Sequence, residues 1–335
     1  MPTGKRNLKL PKNLYLESTN RCNLKCSGCI LYLGGREPKR DLSLDEAVKI
    51  TDQLPELEKV FLHGIGEPLL NRELPDIIRH LKGRDVYVLF NSNGTLLSGR
   101  IQRDLIRTGL NELRISLDAA SDGGYRSIRR SDKFEQILGN LRSFVLLQKR
   151  QQVALPKLSL WFLGTRDNIA ELPDFVKLAA EIEIGEVYLQ RLVYFQDGTG
   201  YGLARDCKSL QDSSDGTASL VAQSRDLAAK LGIQFNASGL SQPGESLRGQ
   251  PAGELPWNQC YRPSTLMYIT ANGNVLPCCI APFATVDYAS IVLGNVFNQS
   301  LEEIWSGSRY MNFRRQHQSD LPPQCCRGCG VRWSL

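Results

Sequence analysis

Three cysteines, Cys22, Cys26 and Cys29, stand in one short loop at C-x3-C-x2-C spacing. Such a loop presents three thiolates to a single metal centre and leaves one coordination position open. A four-iron four-sulfur cluster normally takes four cysteines, so a compact triple implies a distant fourth ligand or a site kept free for something else. Zinc is the competing occupant, since a catalytic zinc also keeps an open position, though seldom with three cysteines alone. A purely structural triplet is the bland alternative.

The 335 residues, 41% hydrophobic and 23% charged, are enough to bury a sizeable core in one large domain or two. The basic N-terminus, Met1 to Lys12, leads into a strand pattern rather than an apolar signal core, and no run reaches membrane-spanning length. The expected location is cytoplasmic, with no membrane partner. Of ten cysteines, nine fall in two groups, and in a long chain this points to metal or redox chemistry rather than a disulfide framework. The net charge of +6 is spread along the chain and reads as a solvated basic surface, so a nucleic-acid partner is not expected.

Short β-rich runs alternate with amphipathic helices. Strands are expected at 13–18, 59–63, 86–91, 112–117, 157–163 and 186–193, with helices from Ser43 and at 74–81, 99–108, 134–151 and 170–182. Ser43 and Glu46 form a capping-box pattern. This is an α/β chain, and the cycle implies a parallel sheet wound by right-handed crossovers. Polar and glycine-rich signatures follow the strand ends: His63-Gly64-Ile65-Gly66-Glu67-Pro68, Asn91-Ser92-Asn93-Gly94, Ser116-Leu117-Asp118 and Thr165-Arg166-Asp167-Asn168. Loops at that end of an α/β barrel build its active site, so these converge on one mouth with the cysteine loop.

Beyond Val193 the pattern changes. Residues 195–257 read as a bridge with a helix near 218–231 and a short strand near 234–236. From Cys260 the chain runs through a hairpin that turns at Ala271-Asn272-Gly273-Asn274 and returns to Cys278-Cys279, then through short helices to Cys325-Cys326-Arg327-Gly328-Cys329.

The cysteine triple after a first strand, followed by Gly64-Ile65-Gly66-Glu67-Pro68 after the second, resembles the radical S-adenosylmethionine (radical SAM) superfamily. Cys260-x12-Gly273-x4-Cys278, with Cys326-x2-Cys329, resembles the SPASM/twitch extension of some members, which holds an auxiliary iron-sulfur cluster. The resemblance implies a partial (β/α)6 TIM-like barrel over about residues 1–195, a bridge at 196–257 and a small cluster domain at 258–335 closing over the mouth. It implies a 4Fe-4S cluster on Cys22, Cys26 and Cys29, whose free iron is chelated by S-adenosyl-L-methionine (SAM). Reductive cleavage would yield a 5′-deoxyadenosyl radical that takes hydrogen from a substrate carbon.

By that pattern Gly64, Gly66 and Glu67 would meet the methionine moiety, and Asn91 and Ser116 the methionine or ribose. Gly28 stands where relatives commonly carry an aromatic residue against the adenine, and Tyr32 is the nearby substitute. One auxiliary 4Fe-4S cluster is implied on Cys260, Cys278, Cys326 and Cys329, leaving Cys279 and Cys325 spare, with a four-cysteine zinc site as the alternative. Cys207 reads as an inert thiol or, in an epimerase, a hydrogen donor to the substrate radical. His63, Gln190 and Arg191 face the expected mouth.

The expected reaction is oxidation or epimerisation of a small molecule such as a sugar or aminoglycoside intermediate. Modification of a peptide by cross-linking, oxidation or epimerisation is the alternative, and a non-catalytic iron-sulfur electron carrier the reading from another class. A flavodoxin or ferredoxin would supply electrons.

Overall fold

The computed structural model describes residues 9–31, 36–192, 208–210, 215–238, 257, 260–285, 287–327 and 329. Its strands are β1 (Asn13–Leu16), β2 (Lys59–Phe61), β3 (Tyr87–Ser92), β4 (Glu112–Ser116), β5 (Lys157–Gly164), β6 (Glu186–Arg191), β7 (Gln234–Ala237), β8 (Leu266–Ile269), β9 (Asn274–Leu276) and β10 (Gly294–Asn295). Strands β1 to β6 pair in parallel, each with the next. That is the α/β partial barrel expected from the strand-helix cycle.

The sheet runs past six strands at both edges. β7 adds parallel to β6, and β8 adds parallel to β1 with Asn13 opposite Leu266 and Leu16 opposite Ile269. β9 and β10 then follow antiparallel, giving one ten-stranded sheet in the order β10-β9-β8-β1-β2-β3-β4-β5-β6-β7. The C-terminal hairpin is therefore joined to the barrel through its backbone. β8 reads Leu-Met-Tyr-Ile, and Met267, Tyr268 and Ile269 are all at or below 1% exposed, as a strand covered on both faces requires. The hairpin turns at Gly273, whose φ of 78° favours glycine.

Helices α1 (Leu44–Thr51), α2 (Leu74–Lys82), α3 (Gly99–Thr108), α4 (Asp122–Arg129), α5 (Phe134–Gln151) and α6 (Leu172–Glu181) separate the barrel strands. The capping box of Ser43 and Glu46 forms as read from the sequence. α2 buries Leu74, Ile77, Ile78 and Leu81, a stripe at helical spacing that joins Val60, Val88 and Phe90 in one core. α4 is the helix that sequence periodicity does not reveal. Gly123 and Gly124 lower its propensity, and Ser121 offsets this by accepting from the Gly124 N–H at 3.0 Å. α6 starts two residues later than expected, after a 3-10 turn at Ile169–Glu171. Among the described residues no helix is long and apolar enough to cross a membrane.

Where β1 ends, Glu17 is 1% exposed and accepts from the Ile65 N–H at 2.7 Å, the Ala271 N–H at 3.1 Å and the Tyr268 hydroxyl at 3.4 Å. Burial outweighs these donors and raises its carboxyl to about 7. A carboxyl raised in the folded state contributes stability that is complete below its unfolded pKa and is lost as pH climbs through the folded one. Denaturant unfolding of the native chain relative to Glu17→Gln should show a stability difference that declines from about pH 4.5 to pH 7, by at most about 3 kcal/mol. A pH-independent difference would contradict the burial argument.

Candidate active site

Cys22, Cys26 and Cys29 line one cavity of about 550 Å³ just beyond β1. Their loop is tied down on every side. Arg21 Nε donates to Asp41 Oδ1 at 2.8 Å and its Nη2 to Leu70 O at 3.0 Å. Asn23 Nδ2 donates to Thr95 Oγ1 at 2.8 Å, and Ser27 reaches Ile128 O through both its N–H, at 3.0 Å, and its hydroxyl, at 3.1 Å. Three donors point at the sulfurs: Leu24 N–H lies 3.5 Å and Asn93 Nδ2 4.0 Å from Cys22 Sγ, and Arg129 Nη1 lies 3.7 Å from Cys26 Sγ. Burial still pushes the Cys22 thiol up to about 11. The protein alone thus leaves that thiol protonated, and a directly bound cation is what would hold it as thiolate.

The Gly64–Pro68 turn is fastened to the same loop by Glu67 N–H donating to Arg21 O at 2.7 Å. A Cβ on Gly66 would lie 2.7 Å from Arg21 O and closer still to Thr19 O, so only glycine lets the two backbones meet. Glu67 is 2% exposed, and its carboxylate is engaged by protein donors: Ser92 Oγ at 2.8 Å, Asn93 N–H at 2.7 Å and Leu69 N–H at 3.2 Å. It lines the cavity while locking this turn to the end of β3.

Gly64, Gly66, Asn91 and Ser116 line the cavity as well. Asn91 Oδ1 is buried with no hydrogen-bond partner, an acceptor available to a ligand's amine or hydroxyl. The Asn91 N–H donates to His63 Nδ1 at 3.3 Å, which puts the imidazole proton on Nε2. Burial, and secondarily Arg114, lowers His63 to about 3, so this ring stays neutral and makes a poor general base. Gln190 and Arg191 also lie on the wall. Cys207 and Tyr32 lie outside the described residues.

Arg129 is the residue that the sequence reading misses, because it sits on α4. Its Nη2 donates to Ser116 O at 2.9 Å and to Asp118 Oδ2, while Nη1 reaches Cys26. A carboxylate and a thiol hold this guanidinium charged between β4 and the cysteine loop.

The second cysteine group comes from the C-terminal segment. Cys278 lies close enough to Cys260, Cys325 and Cys329 to feel their charge, and Cys326 does so toward Cys325, Cys278 and Cys329. Cys325 is buried with its sulfur 3.9 Å from that of Cys326. Cys279 differs: it lines the main cavity and is hydrogen-bonded to Tyr15. The donor chemistry of both groups, soft thiols with N–H groups beside the first set, is that of iron-sulfur cluster ligands.

Fold and site together define an iron-sulfur enzyme of the radical SAM type. The radical SAM superfamily model matches residues 16–179, and that of an iron-sulfur cluster-binding domain, SPASM, matches residues 260–330. The chain belongs to the radical SAM superfamily and carries a C-terminal SPASM domain. It is 24% identical to a tungsten-containing aldehyde ferredoxin oxidoreductase cofactor-modifying protein of Pyrococcus furiosus, over 96% of this chain and 88% of the relative. It is also 24% identical to the PqqA peptide cyclase of Gluconobacter oxydans, over 95% and 82%. Among solved structures it resembles Streptococcus suis SuiB bound to S-adenosylmethionine, with TM-score 0.69 and 18% identity over 91% of this chain and 68% of that one.

Removing the Arg129 charge takes a cation and an N–H donor from Cys26. Arg129→Gln should shift the midpoint potential of the first cluster, followed by EPR titration, to more negative values by about 60 mV, a tenfold change in a one-electron equilibrium. Arg129→Lys should restore part of it. An unchanged potential in a fully loaded variant would deny Arg129 this role.

Proposed function

We propose that this chain modifies a peptide or protein substrate by hydrogen abstraction from an unactivated carbon. The observation that carries the reading is that both cysteine groups meet one cavity. Cys22, Cys26 and Cys29 line it, and so does Cys279, the neighbour of Cys278. When bound there, a 4Fe-4S cluster and SAM supply the one-electron chemistry that an unactivated C–H bond requires.

The chain's own residues divide the remaining work. Cys22, Cys26 and Cys29 hold the cluster, and Cys260, Cys278, Cys326 and Cys329 hold one auxiliary cluster. Backbone groups at Gly64 and Gly66, the Asn91 Oδ1 acceptor and Ser116 hold the methionine and ribose of SAM. Glu67 acts by positioning, since its oxygens are already engaged. Tyr15, Trp161 and Tyr188 wall the cavity with rings and keep water from the reacting carbon. A small reductant such as flavodoxin or ferredoxin delivers the electron.

The sequence alone favours a small molecule. Support for a peptide comes from the relatives, since curated matches over nearly the whole chain include PqqA peptide cyclases of three organisms. SuiB, of the same fold, has been seen with its precursor peptide SuiA.

Anaerobically reconstituted protein should hold about eight irons per chain, falling to about four when Cys22, Cys26 and Cys29 are replaced by Ala. With SAM and dithionite it should form 5′-deoxyadenosine, and the triple variant none. Full clusters without 5′-deoxyadenosine would defeat the enzyme reading, and zinc at either site would defeat that cluster.

A further inference from the structure

The cavity carries an unequal charge inventory. Arg114, Arg129, Arg191 and Arg262 line it, against only Glu67 and Asp118 among the described carboxylates. Both carboxylates are spent on the protein. Glu67 is engaged by backbone and Ser92, while Asp118 takes Arg129 and, at 2.8 Å, the Leu163 N–H. His63, lowered to about 3, adds no charge and no anion.

Arg129 is matched by Asp118 and Arg114 by Glu112, which lies outside the lining. Arg114 donates to both oxygens of Glu112, at 2.7 and 3.1 Å, and its guanidinium carbon lies 4.5 Å from the centre of the Trp161 ring. It is fixed in place, and its field reaches Tyr15. Arg262 differs. Its Nη1 is buried with no hydrogen-bond partner among the described residues, and its neighbours are the thiols of Cys260, Cys278 and Cys279 and the Tyr15 phenol. A buried guanidinium N–H that finds no acceptor is costly, and an incoming oxygen anion removes that cost. Two stacked ring pairs flank the place: Tyr15 on Phe61, with centroids 4.1 Å apart, and Trp161 on Tyr188, at 4.0 Å.

We propose that the cavity wall at Arg262 is a carboxylate site, in which Arg262 receives an anionic group of the substrate beside the aromatic rings. The planar fork of Arg262 suits a carboxylate's two oxygens, and the rings suit the apolar or aromatic residue next to it. This rests on the peptide reading above, and the carboxylate then belongs to an acidic side chain or to the peptide's C-terminus. Anchoring it would fix which carbon faces the first cysteine group.

The test uses anaerobically reconstituted protein and three dipeptides, with affinity read by ligand-observed NMR. Acetyl-Phe-Asp-amide offers a side-chain carboxylate, acetyl-Asn-Phe a terminal one, and acetyl-Phe-Asn-amide none. At least one anionic probe should bind about tenfold more tightly than the neutral one, and the tighter of the two identifies the source. Arg262→Gln should abolish the preference and Arg262→Lys keep part of it, with iron content checking that each variant is intact. Equal binding of all three by the unaltered chain overturns the proposal even if no variant folds, and so does a preference that survives Arg262→Gln. Formation of 5′-deoxyadenosine by the same preparation is independent. Its presence without anion preference sinks only the carboxylate site, and its absence with preference intact sinks only the radical chemistry.

Discussion

Glu17 ends β1 with a carboxylate buried beneath the cysteine loop, and its oxygens hold the Ile65 N–H on one side and the Ala271 N–H on the other. Burying a charged or neutral carboxyl is costly, and the cost is offset only because two backbone N–H groups and a phenol would otherwise go unpaired. Three strand ends are fixed by this one group: the start of the cysteine loop, the Gly64 turn and the C-terminal hairpin. It also bears on the meaning of Gly64. A Cβ there would lie 2.5 Å from Tyr268 Oη and closer to Glu17 Oε1, so the position needs glycine for packing whether or not a ligand approaches.

A second carboxylate extends the seam. Glu37 accepts from Thr270 Oγ1 at 3.0 Å, Asn274 Nδ2 at 2.7 Å, Asn272 Nδ2 at 2.9 Å and the Tyr288 hydroxyl at 2.5 Å. Together with the β1–β8 pairing, these bonds set the distance between the two cysteine groups. The geometry between them comes from sheet register and buried polar contacts, which are stiff, and not from the long segment that joins them in sequence. Small displacements matter at such a site, where a reacting carbon must sit within contact distance of its partner.

Much of this was legible from the residues because it is local. The C-x3-C-x2-C spacing, the strand-end glycines and the Ser43 capping box each report on a few neighbouring positions, and all appear where expected. What escaped is either non-local or masked by composition. The β1–β8 pairing joins residues some 250 positions apart, and nothing within Leu266–Ile269 says which strand it will meet. Glu17 reads as an ordinary strand-end acid until its partners at Ile65 and Ala271 are known. Arg129 sits on a helix that Gly123-Gly124 weakens, and Arg262 lies between cysteines whose spacing carries the stronger signal. Glu67 lines the cavity as the motif implies, and its bonds to Ser92, Asn93 and Leu69, which no local pattern announces, also lock the loop.

The cavity asks for different things from the same residue type. Arg129 is bound to Asp118, Ser116 O and Cys26, so its charge is committed to electron-rich sulfur and is unavailable to a substrate. Arg262 has thiols beside it and a guanidinium nitrogen still without an acceptor. Arg129 Nε is likewise buried without a hydrogen-bond partner among the described residues, so what distinguishes the two is that Arg129 has a carboxylate partner in Asp118, whereas the neighbours of Arg262 are thiols and a phenol. On the proposal above, an anionic group of the substrate gives Arg262 the counter-charge that Asp118 gives Arg129.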